Sequence, residues 1–135
     1  MQTNRSDRPR VLVVGRDPVA VAVARTVPDP VQFVGLDETT VGHVSGSVAE
    51  TRVVEEPGNV SLPEGTEAAI LAAPSDSANL LSAQRLRVAS GDIDVVVRLN
   101  DPRNRAAFAD LDVRMVCAAT NVGESLGQAY ARTVA

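Results

Sequence analysis

The chain has 135 residues, 44% of them hydrophobic and only 2% aromatic, which suits one three-layer domain with a core of Val, Ala, Leu and Ile. Its net charge is −4, and its 13 basic residues are dispersed Arg with no Lys; nucleic acid is not the expected partner, because phosphate neutralisation needs a concentrated basic face. No apolar run reaches the roughly 20 residues of a membrane helix, and the opening MQTNRSDRPR lacks a signal-peptide core, so the expectation is a cytoplasmic protein without direct membrane insertion.

Residues 1–9 read as a flexible polar segment, and 10–135 as a single domain. Arg10–Gly15 is a continuous apolar run ended by glycine, the mark of a strand buried on both faces. Asp17–Val27 reads as a helix that stops before Pro28. Val31–Leu36 and Arg52–Glu55 are the second and third strands. Between Thr39 and Pro63, Gly, Ser, Thr and Glu predict at most a short or frayed helix. Ala68–Ala73 is a fourth strand, followed by a long helix from Ser75 to about Val88. Ile93–Leu99 is a fifth strand, Asp101–Leu111 a helix, Val113–Ala118 a sixth strand, and Asn121–Val134 a closing helix. Strand–helix alternation with mostly apolar strands predicts right-handed crossovers. The fold expected is α/β: a doubly wound, mostly parallel six-stranded sheet with helices on both faces, Rossmann-like.

In such a sheet, ligands bind beyond the carboxyl ends of the strands where the strand order reverses. The first strand ends at Gly15. Of the three positions of a G-x-G-x-x-G fingerprint, Gly15 is kept, Asp17 replaces the second and Ala20 the third. Asp17-Pro18 makes a good helix start, with Asp as N-cap and Pro at the first helical position. The Asp17 carboxylate would then take the N–H groups a phosphate uses, and its charge would repel that phosphate. Arg16, beside the turn, is placed to fold over a phosphate and offset Asp17. Asp37 stands 22 residues after Gly15, near the spacing of the acid that binds ribose hydroxyls. With Glu38 beside it, the position favours NAD(H) over NADP(H).

The remaining candidates are weaker. Cys117, the one cysteine, reads as a small buried residue on a strand. His43, the one histidine, reads as part of a surface loop. Val122, Leu126, Tyr130 and Val134 form one apolar stripe on the last helix, either packed on its own sheet or left for a partner. No set of residues has metal-ligand spacing, and no catalytic group is indicated.

Two stretches, AAILAAPSDSANLLSAQRLR and VVVRLNDPRN, resemble the TrkA-N or RCK N-terminal domain, the cytoplasmic regulatory domain of potassium channels and transporters. Asp76 and Asn79 match its Asp-x-x-Asn at a helix start. Arg98, Asn100, Asp101 and Pro102 match its Arg-x-Asn-Asp-Pro after the fifth strand, while Pro74 stands where Thr is usual. The resemblance spans about residues 10–134. It implies a domain that binds NAD(H) or an adenine nucleotide and turns binding into a conformational signal on a membrane cation transporter or channel subunit. Gly15, Arg16, Asp17, Pro18, Asp37 and Glu38 would line the dinucleotide side, with Ala72, Ala73 and Arg98 at the neighbouring strand ends. It also implies a homodimer through the terminal helix. The alternative is a degenerate relative, with Asp17 and the Glu55–Glu56 pair opposing phosphate, that serves as a dimerisation or interaction module. An acidic, Lys-free chain rich in Asp, Val and Ala fits a high-GC genome, and the expectation is a halophile-like composition.

Overall fold

The computed structural model describes residues 9–134. Six strands, β1 (Val11–Gly15), β2 (Val31–Gly35), β3 (Glu50–Val53), β4 (Ala68–Leu71), β5 (Asp94–Leu99) and β6 (Arg114–Cys117), form one sheet in the order β3-β2-β1-β4-β5-β6. Every pairing is parallel, so the sheet is wholly rather than mostly parallel. The chain winds outward from β1 to β3, returns to the centre, and winds outward again from β4 to β6. The strand order therefore reverses between β1 and β4. The flexible segment expected at 1–9 lies, apart from Pro9, outside the described residues.

Helix α1 (Pro18–Thr26) follows β1, α2 (Glu38–Val44) follows β2, α3 (Asp76–Ala89) follows β4 and α4 (Ala118–Val134) follows β6. Alternation within each strand sorts the core into two layers. Leu12, Val14, Leu71, Val97 and Leu99 face α3 and pack with Leu86 and Phe108. Val11, Val13, Val31 and Phe33 face α1 and α2 and pack with Ala20, Ala24 and Val44. Small helix residues let α1 lie close to β1. A Cβ on Gly15 would run into the Ala20 side chain, so glycine is required where β1 turns into α1.

Several expected elements are corrected. The third strand is Glu50–Val53 and every residue of it is exposed; as an edge strand it needs no apolar run. Asp101–Leu111 is a succession of 3-10 turns (Pro102–Leu111) rather than an α-helix. It opens with the Asn104 N–H bonded to the Asp101 carbonyl at 2.9 Å. His43 lies in the last turn of α2, exposed, not in a loop. The last helix starts at Ala118, directly after β6 and without a connecting loop. That lack of a loop leaves α4 no means of turning back, and it touches the rest of the chain chiefly through β6. The reading of Tyr130 as packed on its own sheet therefore fails: Val122, Leu126, Tyr130 and Val134 are 57–69% exposed. Cys117 is buried on β6, as expected.

On the α1 side, helices cover only half of the sheet. Helices α1 and α2 lie over β1, β2 and β3. Val96, Arg98, Arg114 and Val116 point to that same side from β5 and β6, and Val116 is 43% exposed.

Candidate functional site

The strand order reverses between β1 and β4, and in open parallel sheets the ligand crevice lies outside the carboxyl ends of the strands at such a point. Its walls are the β1–α1 turn, the end of β2 and the end of β4, with β5 behind. The structure brings Gly15, Asp17, Ala72 and Arg98 together at its centre.

Asp17 does what the Asp-Pro pair dictates. Its Oδ1 accepts from the Ala20 N–H at 3.3 Å, and Pro18 fills the first helical position. The other oxygen, Oδ2, accepts from Arg98 Nη1 at 2.9 Å. The same Nη1 donates to the Ala72 carbonyl at 3.3 Å. Both side chains are about four-fifths buried, so the pair is only partly screened by solvent. Arg98 Nε is buried and has no hydrogen-bond partner among the described residues. The Asp17 carboxylate thus sits on the cation and the helix start that would otherwise meet a phosphate.

Arg16 does not take part in this pair. Its Nε lies 3.8 Å from Asp37 Oδ2, in an exposed pairing, so the neutralising cation comes from β5, not from the adjacent residue. Asp37 is the N-cap of α2, its Oδ1 accepting from the Thr40 N–H at 2.8 Å. The Thr40 bonds, and then Arg16, hold its carboxyl below the usual carboxylate range. Glu38 follows, exposed, in the first turn of α2. The residue 20 positions after Gly15 is Gly35, which pairs with Gly15 across the β1–β2 ladder. A Cβ there would come within 2.9 Å of the Asp37 carbonyl and run into Val41. No side chain can project from the end of β2 at that point, and Asp37 meets the crevice from its rim.

The far wall is a clasp. Asn79 Oδ1 accepts from the Ala73 N–H at 3.0 Å, and Nδ2 donates to the Ala73 and Arg98 carbonyls at 2.9 and 3.0 Å. Asn100 Nδ2 adds a second donor to the Ala73 carbonyl, at 3.1 Å. The Asp76 carboxylate accepts from the Asn100 N–H (2.7 Å), the Asp101 N–H (2.9 Å), Asn100 Nδ2 (3.1 Å) and Asn104 Nδ2 (2.9 Å). Burial pushes the Asp76 carboxyl up, but these bonds outweigh it and hold the group below its ordinary value. The clasp fixes the backbone of Arg98 and Ala73, and so aims Arg98 across the crevice. Ala72 and Ala73 line it without side-chain bulk, both buried.

A second hollow, of about 720 Å³, lies near the opposite end of β5, between Arg87, Asp94, Asp112 and Arg114. There Arg87 donates to the carbonyls of Leu111, Gly91, Ile93 and Asp112 at 2.7–3.3 Å. Its guanidinium is occupied in joining loops. The crevice at the switch point is the better site, because it has a partly buried charge and converging strand ends. Among the described residues, no group of three or more His, Cys, Asp or Glu side chains is placed to hold a metal ion.

Fold and crevice together define a Rossmann-like α/β domain. The chain is similar in structure to the NAD(P)-binding domain of an exopolyphosphatase-related protein from Archaeoglobus fulgidus. The TM-score is 0.75 at 19% sequence identity, covering 93% of this chain and 99% of the other. No protein-family model matches the sequence, and no curated protein sequence matches it either.

Proposed function

We infer that this domain is a non-catalytic, nucleotide-responsive regulator whose ligand, NAD(H) or an adenine nucleotide, seats at the carboxyl ends of β1, β2 and β4. The observation that carries the reading is the crevice at the β1/β4 switch point with Arg98 at its centre. The Archaeoglobus domain, described as NAD(P)-binding, supports it. The TrkA-N-like clasp, Asp76–Asn79 against Arg98–Asp101, favours action on a cytoplasmic cation-transport system, with a membrane transporter or channel subunit as partner. Thermal denaturation with NADH, NAD, ATP and ADP, at high and low salt, tests it. A ligand that binds the folded state raises the midpoint by mass action. A rise with at least one nucleotide is expected, and no shift with any of them would exclude the reading.

The second reading is a dimerisation module, and α4 favours it. The helix carries an apolar stripe that the described residues leave bare, and on the sheet Val116 is exposed and Val96 half-buried. A two-fold dimer in which each α4 lies on the partner would cover both surfaces at once. The two readings are compatible, since a dimer can transmit what the crevice binds.

A further inference from the structure

We propose that Asp17 is a resident substitute for a ligand phosphate, and that the crevice accepts a phosphate-bearing ligand by exchanging that carboxylate for the phosphate on Arg98. The inference rests on the nucleotide reading for the identity of the whole ligand, but its chemistry concerns the anion alone.

Three observations carry it. Arg98 crosses from β5 to the β1–α1 turn, 81 residues away in sequence, to reach Asp17 Oδ2 at 2.9 Å. Such a long-range pair at the centre of the switch-point crevice is not needed to start α1, because the Asp17 cap uses the other oxygen. The guanidinium is also incompletely used. Only Nη1 is bonded among the described residues, and the buried Nε has no partner. With its other oxygen on the helix start, Asp17 meets one nitrogen and leaves Nε unpaired, whereas an anion free of that cap, such as a phosphate, can accept from two guanidinium nitrogens at once. Finally, the β5 backbone beneath Arg98 is fixed by Asn79 through the Arg98 carbonyl. The side chain therefore starts from a set position whichever anion it holds.

Exchange is the route that avoids a clash of charge. A phosphate added beside an ionised Asp17 would face like-charge repulsion in a partly buried site. If the carboxylate rotates away into solvent, the anion inherits both Arg98 and the first turn of α1. Ligands with a diphosphate or terminal phosphate are then selected over neutral nucleosides, and the crevice keeps itself closed to weak anions.

The test is calorimetric titration of the full chain with inorganic pyrophosphate, ADP and adenosine. The proteins are wild type, Asp17→Asn, Asp17→Ser, and Asp17→Asn combined with Arg98→Gln. Asn and Ser are both good N-caps, so helix α1 is retained, and circular dichroism checks each fold. Pyrophosphate should bind Asp17→Asn and Asp17→Ser at least about tenfold more tightly than wild type, from removal of one facing charge. The double variant should lose that gain, and adenosine should not distinguish the four proteins. Unchanged or weaker pyrophosphate binding in both single variants, or a gain that survives Arg98→Gln, would overturn the exchange. ADP separates the two claims. If ADP binds all four proteins equally, the nucleotide reading stands and the exchange falls. If pyrophosphate follows the expected pattern while ADP binds no better than pyrophosphate, the exchange stands and the nucleoside part of the reading falls.

Discussion

At the residue scale, the site is governed by what each carboxylate holds. Asp17 divides its two oxygens between a helix start and Arg98. Asp37 is tied to Thr40 and meets Arg16 only at 3.8 Å. Asp76 is the most heavily bonded of the three and holds no cation, only amide donors. Its lowered folded-state pKa has a definite consequence for stability. A carboxyl whose pKa is lower folded than unfolded stabilises the fold above its unfolded value of about 3.9, and that contribution fades as the pH falls through the folded value. Replacing Asp76 with Asn removes the acceptor charge and sets an amide against backbone donors. Asp76→Asn should cost about 1.5–3 kcal/mol near pH 7, the range for bonds to a charged group. The cost should shrink as the pH falls below about 3.9, where the unfolded wild-type carboxyl takes up a proton that the folded one still resists. Urea denaturation at several pH values measures both, and an equal loss at pH 3 and pH 7 would remove Asp76 as the source.

Much of this was legible in advance, and the rest was hidden for physical reasons. Local chemistry fixes the Asp17-Pro18 helix start, since a cap acts on neighbours two or three residues away. The partner of Asp17 was not local. Arg16 is adjacent in sequence, yet the geometry of the turn sends it toward Asp37, while Arg98 arrives from a strand two places across the sheet. Asp37 lies near the expected spacing for a ribose acid, but spacing cannot register that Gly35 ends the strand against Val41. The Asp-x-x-Asn and Arg-x-Asn-Asp-Pro stretches were visible as motifs; that they clasp one another became visible only once β4 and β5 were paired.

At the element scale, α4 is the exception among the helices. Helices α1, α2 and α3 each bury residues against the sheet, whereas α4 buries none. Its stripe was readable from the i, i+4 pattern. The direction of the helix was not, because it depends on β6 passing into α4 without a loop. A 17-residue helix with an open apolar face is unusual for a stable monomer. Leu126→Asp at the middle of the stripe should convert a dimer to a folded monomer and lower the unfolding midpoint by the stabilisation the partner supplied. Analytical ultracentrifugation beside thermal denaturation makes the check. A wild-type chain that sediments as a monomer at high concentration would remove the helix-mediated dimer from the account.

At the scale of the whole molecule, the sheet order places two unlike surfaces beside one another. The ligand crevice lies at the strand ends, and the uncovered half of the sheet begins at the same strand, β5. Arg98 belongs to both, since its side chain reaches into the crevice from the exposed face that also bears Val96 and Val116. A ligand that changes what Arg98 holds would therefore act at the margin of the surface on which a partner helix would rest. Among the described residues, no helix is long and apolar enough to cross a membrane.

The most direct test is a crystal structure of the chain grown with millimolar ADP or NADH. The account predicts the diphosphate at the β1–α1 turn within hydrogen-bond distance of Arg98, with the Asp17 carboxylate turned away. A nucleotide bound elsewhere, or one seated in the crevice with the Asp17–Arg98 pair still closed, would contradict it.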